Sequence, residues 1–99
     1  MNWLEIISVH TAGPLERAKV MEICGKIRIL RMSGRSAKLK VYGGSFNTEL
    51  SIRIQWISQA APEGKSPLGC ALSGALSDFG LVSHTLWIEY DQSVSSNTT

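Results

Sequence analysis

The chain has 99 residues, a formal net charge of +2 and 18% charged residues. A chain of this length has room for one hydrophobic core, and a core this small favours an oligomer that covers further apolar surface. The weak positive charge and the lack of aromatic residues interleaved with the basic ones argue against nucleic-acid binding. No apolar run approaches the roughly 18 residues of a membrane-spanning helix.

The N-terminal segment and the two cysteines indicate the compartment. The segment has no basic region and carries Glu5 inside its apolar run, so it does not resemble a signal peptide. Cys24 and Cys70 lack the spacing of a metal or redox pair, and both fall in predicted helices, where we expect packed, reduced thiols. We therefore predict a cytoplasmic protein, and the sequence contains no motif for a metal or a cofactor.

The first predicted elements are a strand over Trp3–Thr11 and a helix from Leu15 to about Leu30, with Pro14 in the helix's first turn. Gly25 weakens the middle of this helix and suggests a close approach to another backbone. The strand is apolar on both sides. One side carries Leu4, Ile6, Ser8 and His10, and the other carries Trp3, Glu5, Ile7 and Val9.

A hairpin follows, with strands over Ala37–Tyr42 and Thr48–Ile57 joined by a turn rich in glycine. Its second strand alternates, which predicts a core face and an opposite face. The core face carries Leu50, Ile52, Ile54 and Trp56, and the opposite face carries Ser51, Arg53 and Gln55.

A second helix begins after the predicted N-cap Ser66 with Pro67, and Gly80 is expected to end it. Its apolar stripe comprises Leu68, Ala71, Leu72, Ala75, Leu76 and Phe79. A stripe of small residues is expected on the outer side of this helix and comprises Gly69, Ser73 and Ser77. Either another chain packs there, or the surface simply lacks the charged side chains that are usual on an exposed helix. The last strand covers Val82–Tyr90 and completes a domain over residues 1–91. The polar residues 92–99 are expected to be disordered.

This order predicts an α+β, ferredoxin-like βαββαβ fold. Two right-handed crossovers and one hairpin place the first and third strands in the middle of a four-stranded antiparallel sheet, with both helices on one face. A central strand that is apolar on both faces should be buried on both. We therefore expect a homodimer in which a second copy packs against the free face of the sheet.

The segments LEIISV, LSIRIQW and SHTLWIEY, in this order, resemble the dimeric α/β-barrel superfamily, which includes antibiotic-biosynthesis-monooxygenase-type proteins. The resemblance covers Trp3 to Tyr90 and rests on element order and mixed apolar–polar strands. It implies two ferredoxin-like subunits that enclose a cavity between their sheets. It also implies a cofactor-independent protein that binds or transforms a small aromatic or lipophilic molecule. No catalytic motif of that family matches position by position, so the resemblance assigns no catalytic residue and leaves enzymatic activity open.

The candidate ligand-binding residues on the free face are Arg53, Gln55, Trp87, Glu89 and Tyr42. Arg53 with a carboxylate such as Glu89 or Glu5, beside an indole, would suit a planar or anionic small ligand. The alternative is a polar dimer interface without a ligand. For Tyr42, an exposed hairpin position is the alternative to the mouth of a cavity.

His10 and His84 are the weak catalytic candidates, because antiparallel neighbours bring the end of the first strand close to the start of the last. Such a pair could act as an acid–base couple or hold a metal, although no further metal ligand is evident. Ordinary strand-end histidines are the alternative.

The sequence leaves open a second function of a different class. The chain could be a non-catalytic ligand-sensing or assembly domain with a layout similar to ACT-type modules. A free-standing chain of this length argues mildly against it. An RNA-binding ferredoxin-like domain comes third, since the central strands lack the exposed aromatic residues that base stacking requires.

Overall fold

The computed structural model describes residues 2–29, 36–44, 48–57 and 64–89. Within them the elements follow the predicted βαββαβ order: β1 (Asn2–Thr11), α1 (Pro14–Ile29), β2 (Ser36–Gly43), β3 (Glu49–Ile57), α2 (Pro67–Leu76) and β4 (Gly80–Ile88). The strands form one antiparallel sheet in the order β2-β3-β1-β4, which confirms the central position of β1 and β3. The predicted tail at residues 92–99 lies outside the described residues.

The boundary between α2 and β4 differs from the prediction. The helix ends at Leu76 rather than at Gly80, and Gly80 is the first residue of β4, paired with Thr11. A Cβ atom on Gly80 would lie 2.8 Å from the Cα of Thr11 and would also collide with the carbonyl oxygen of His10. Gly80 therefore permits the close backbone approach that begins the strand, and it does not end the helix.

The face of the sheet that the two helices cover is called the helix face, and it carries the hydrophobic core. The core residues are Trp3, Ile7, Val9, Val20, Cys24, Leu50, Ile52, Ile54, Trp56, Leu72 and Leu76. The predicted core positions of β3 are thus confirmed. Burial of this apolar surface is the main favourable contribution to folding.

The helices show a narrower buried stripe than expected. On α2, Leu72 and Leu76 are buried, but Ala71 and Ala75 are exposed. An alanine side chain is too small to dictate which side of a helix turns inward, so the larger leucines decide it, and Gly69 lies on the same buried side. The prediction for Gly25 was wrong, because a Cβ atom there would meet nothing within 4 Å.

The opposite side of the sheet is called the open face, because no described element covers it. It carries Leu4, Ile6, Ser8 and His10 of β1, as predicted, together with the even-numbered residues of β2 and the odd-numbered residues of β3 and β4. Leu81 and Trp87 are 79% and 58% exposed there. Among the described residues, no helix is long and apolar enough to cross a membrane.

Candidate functional site

A groove crosses one end of the open face. The strand register places Ser51, Ser8 and Ser83 side by side on three neighbouring strands. Small side chains in one row leave a trough between the larger side chains of the flanking rows. The groove has a volume of about 600 Å³, which lies within the range of small-molecule sites.

Two of the predicted ligand-binding residues, Tyr42 and Arg53, line this groove. The guanidinium carbon of Arg53 lies 4.7 Å from the centre of the Tyr42 ring, a cation–π contact. The guanidinium group has five N–H donors, so donors remain available to acceptors in the groove. This arrangement presents a positive, hydrogen-bonding surface to the groove.

The other three predicted ligand-binding residues lie away from the groove. Gln55 and Trp87 both face Leu4 in the register, so they share a row near the opposite end of the sheet. The Trp87 indole N–H donates a hydrogen bond to Thr85 Oγ1 at 3.0 Å. Glu89 is exposed just beyond the end of β4. The predicted ligand-binding residues therefore do not form one cluster. Tyr42 and Arg53 lie at the groove, whereas Gln55 and Trp87 lie in another region of the open face.

The two histidines do not form the predicted couple. His10 lies on the open face opposite Leu81 and lines the groove, whereas His84 lies on the helix face opposite Ile7. The sheet therefore separates their side chains. His10 lies near Glu49 instead, with 3.8 Å between His10 Nδ1 and Glu49 Oε1, and both side chains are exposed.

A buried polar group, called the Glu5 cluster, occupies the helix face and comprises Glu5, Trp56, Ser66 and His84. Glu5 is fully buried. Its Oε1 accepts hydrogen bonds from the Ser66 backbone N–H at 2.8 Å and from His84 Nε2 at 2.9 Å. Its Oε2 accepts from the Trp56 indole N–H at 2.8 Å and from the Ser66 hydroxyl. A charged Arg53–Glu5 pair is therefore excluded, because the two side chains lie on opposite faces.

The protonation state of Glu5 follows from these contacts. Burial by itself raises the pKa of the Glu5 carboxyl group, but the hydrogen bonds from Ser66, Trp56 and His84 outweigh burial and leave the pKa below its ordinary value. The carboxylate is ionised and can only accept hydrogen bonds, so His84 Nε2 carries a proton and donates it.

The cluster also fixes the start of α2. The Ser66 side chain caps this helix by accepting a hydrogen bond from the Gly69 N–H at 2.9 Å, as the sequence predicted. The Glu5 carboxylate lies at the same end, where negative charge suits the helix dipole. Gly69 is buried against Glu5 and His84, so the expected stripe of small residues is not wholly on the outer side of the helix.

Sequence reasoning did not identify the Glu5 cluster. The alternation of β1 already placed Glu5 on the side of Trp3, Ile7 and Val9. A carboxylate on a core face requires several donors, because burial of an unpaired charge is costly. An acidic residue at a core position of β1 was therefore the sequence feature that could have indicated a buried polar cluster.

Metal-ligand groups and cysteines add no further site among the described residues. No group of three His, Cys, Asp or Glu side chains that could hold a metal ion occurs in this part of the chain. Cys24 is buried as expected, but Cys70 is exposed, so the prediction that it is packed was wrong.

Comparison with known proteins identifies solved structures with a similar fold. No family model matches the chain, and no curated protein sequence matches it. A solved structure of the monooxygenase ActVA-Orf6 of Streptomyces coelicolor, in complex with Nanaomycin D, is similar. It has a TM-score of 0.63 and 17% sequence identity over 91% of this chain and 88% of that chain.

Two further solved structures are similar to this chain. SnoaB from Streptomyces nogalater, a cofactor-independent oxygenase solved as a mutant, has a TM-score of 0.61 and 12% identity over 92% of this chain and 95% of its own. Rv0793 from Mycobacterium tuberculosis has a TM-score of 0.59 and 16% identity over 93% and 98%. The chain shares the fold of these three structures and has the ferredoxin-like order of elements. The resemblance that the strand segments indicated is thus confirmed at the level of the fold.

Proposed function

We propose that the protein is a homodimer, packed through the open face, that binds a small aromatic or lipophilic molecule in the groove beside Arg53 and Tyr42. The observation that carries the proposal is the open face itself. Leu81 and Trp87 of β4 are 79% and 58% exposed on this face, and a groove of ligand-sized volume lies at the Leu81 end of the strand. Exposed apolar patches of this kind mark interaction sites.

The similar structures support the class of ligand. ActVA-Orf6 is a monooxygenase that was solved with Nanaomycin D, and SnoaB is a cofactor-independent oxygenase. We extend to this chain a small-molecule function without a bound cofactor. For a proton transfer within the groove, His10 is the acid–base group that we propose, because it lines the groove beside Glu49.

The first test is the oligomeric state. Sedimentation at micromolar concentration should give a particle of twice the chain mass of 10.8 kDa. A stable monomer at that concentration would remove the basis for an enclosed cavity and contradict the proposal.

The second test is ligand binding, measured by calorimetry across a panel of planar aromatic compounds. A compound that binds should lose affinity in a Tyr42→Ala variant, because Tyr42 lines the groove. The same compound should keep its affinity in Trp87→Phe, because Trp87 lies in the row of Leu4, away from the groove. If no compound binds the wild-type protein, the ligand-binding half of the proposal fails.

A further inference from the structure

The charge on the open face is concentrated along two strands. Lys40 faces Arg53 in the register between β2 and β3, and Lys38 faces Gln55 one row away. Among the described residues, none of these three cations lies in an ion pair with a carboxylate. This side of the open face therefore carries positive charge that no carboxylate in the described part of the chain neutralises.

The acidic side chain in the groove does not offset this charge. Glu49 lies in the row of His10, whereas Arg53 lies in the row of Ile6, with the serine row between them. Glu49 Oε1 lies 3.8 Å from His10 Nδ1. The groove thus has one positive side formed by Arg53, and its carboxylate lies at the opposite side, beside His10.

The Arg53–Tyr42 contact pre-organises the positive side. A guanidinium group held on an aromatic ring loses part of its conformational freedom before a ligand arrives, and it presents a flat pair of donors. The three serine hydroxyls beside it can donate or accept hydrogen bonds. A flat molecule with an acidic oxygen at its edge matches these features.

We propose that the groove selects planar acids, that is, aromatic molecules carrying a carboxylate or a comparably acidic oxygen, and that Arg53 binds the anionic group. This inference rests on the proposed function and narrows its ligand class from aromatic to anionic aromatic. The competing occupant of the same cations is a carboxylate of a second copy, which the experiment distinguishes.

The experiment compares 2-naphthoate with its neutral amide, 2-naphthamide, by calorimetry on the full chain. We expect the acid to bind about tenfold more tightly than the amide, and Arg53→Met to abolish this difference. Arg53→Lys keeps the charge without the paired donors and should retain part of the preference. Lys26→Met removes one positive charge from α1, on the other side of the sheet, and should bind both compounds as the wild type does.

The outcomes separate the two proposals. Equal affinity for the acid and the amide in the wild-type protein would overturn the anionic ligand class alone. Failure of both compounds to bind would overturn it together with the proposed binding function. If Arg53→Met turns a wild-type dimer into a monomer in sedimentation, the guanidinium serves the interface between copies and the inference is wrong.

Discussion

At the scale of single residues, Glu5 is the side chain on which the interior depends most. We expect Glu5→Gln to lower the free energy of unfolding by about 3 kcal/mol, because an amide has one acceptor oxygen for four donors and leaves buried N–H groups unpaired. Urea denaturation measures the change. Glu49→Gln is the matched control, since its contact with His10 is exposed and spans 3.8 Å, and it should cost less than about 1 kcal/mol. Similar losses for the two variants would contradict a special role for Glu5.

The same carboxylate makes stability depend on pH. Because the pKa of Glu5 is lowered in the folded protein, the unfolded chain binds a proton at a higher pH than the folded one does. The contribution of Glu5 is therefore complete above the ordinary glutamate pKa of about 4.3 and is lost as the pH falls through the lower folded value. Denaturation of the wild type and Glu5→Gln from neutral pH downward should show their difference shrinking below about pH 4. A constant or growing difference would show that Glu5 is not ionised in the fold.

The sequence could predict the face of Glu5 but not its partners. The two-residue period of a strand fixes which side a residue takes, and β1 follows it from Trp3 to His10. The donors to Glu5 are separated from it by 51, 61 and 79 positions in the chain. No local pattern connects residues that far apart, so the buried cluster needed the three-dimensional structure.

At the scale of the elements, α2 offers a comparison of two glycines. A Cβ atom on Gly69 would lie 2.9 Å from His84 Cε1 and would collide with the Glu5 carboxylate, whereas one on Gly74 meets nothing within 4 Å. Gly69→Ala should therefore destabilise the protein by about 1–3 kcal/mol through overpacking. Gly74→Ala should stabilise it by about 0.5–1 kcal/mol through helix propensity. Thermal unfolding followed by circular dichroism measures both. Stabilisation by both substitutions would mean that α2 is not pressed against the Glu5 cluster.

The elements were more predictable than the positions at which they begin and end. Alternation in β3 and the Ser66–Pro67 cap are local signals, and both are confirmed. The junction at residues 77–80 was misplaced, because a glycine can equally follow a helix or permit close contact between two strands. In the latter role its neighbours are His10 and Thr11, which are distant in the sequence.

At the scale of the whole molecule, the two faces of the sheet carry different functions. The helix face encloses an ionised carboxylate and satisfies it completely, so that cluster is available for structure rather than for a ligand on the open face. The open face instead displays leucine, tryptophan and cations that form no ion pair within the described ranges. The comparisons show the fold that the order of elements predicted, and the homodimer stays a prediction.

That prediction can be tested with two leucines of equal exposure. Leu81 on the open face is 79% exposed and Leu15 on α1 is 80% exposed, so a charge at either position costs little in the monomer. In a symmetric dimer through the open face, Leu81→Arg places a guanidinium group in each of two equivalent apolar contacts. We expect its dissociation constant, from sedimentation over a concentration series, to rise at least about a hundredfold, or roughly 2.8 kcal/mol. Leu15→Arg should leave dimerisation unchanged. If Leu15→Arg alone breaks the dimer, the copies associate through the helices and the open face is free in solution.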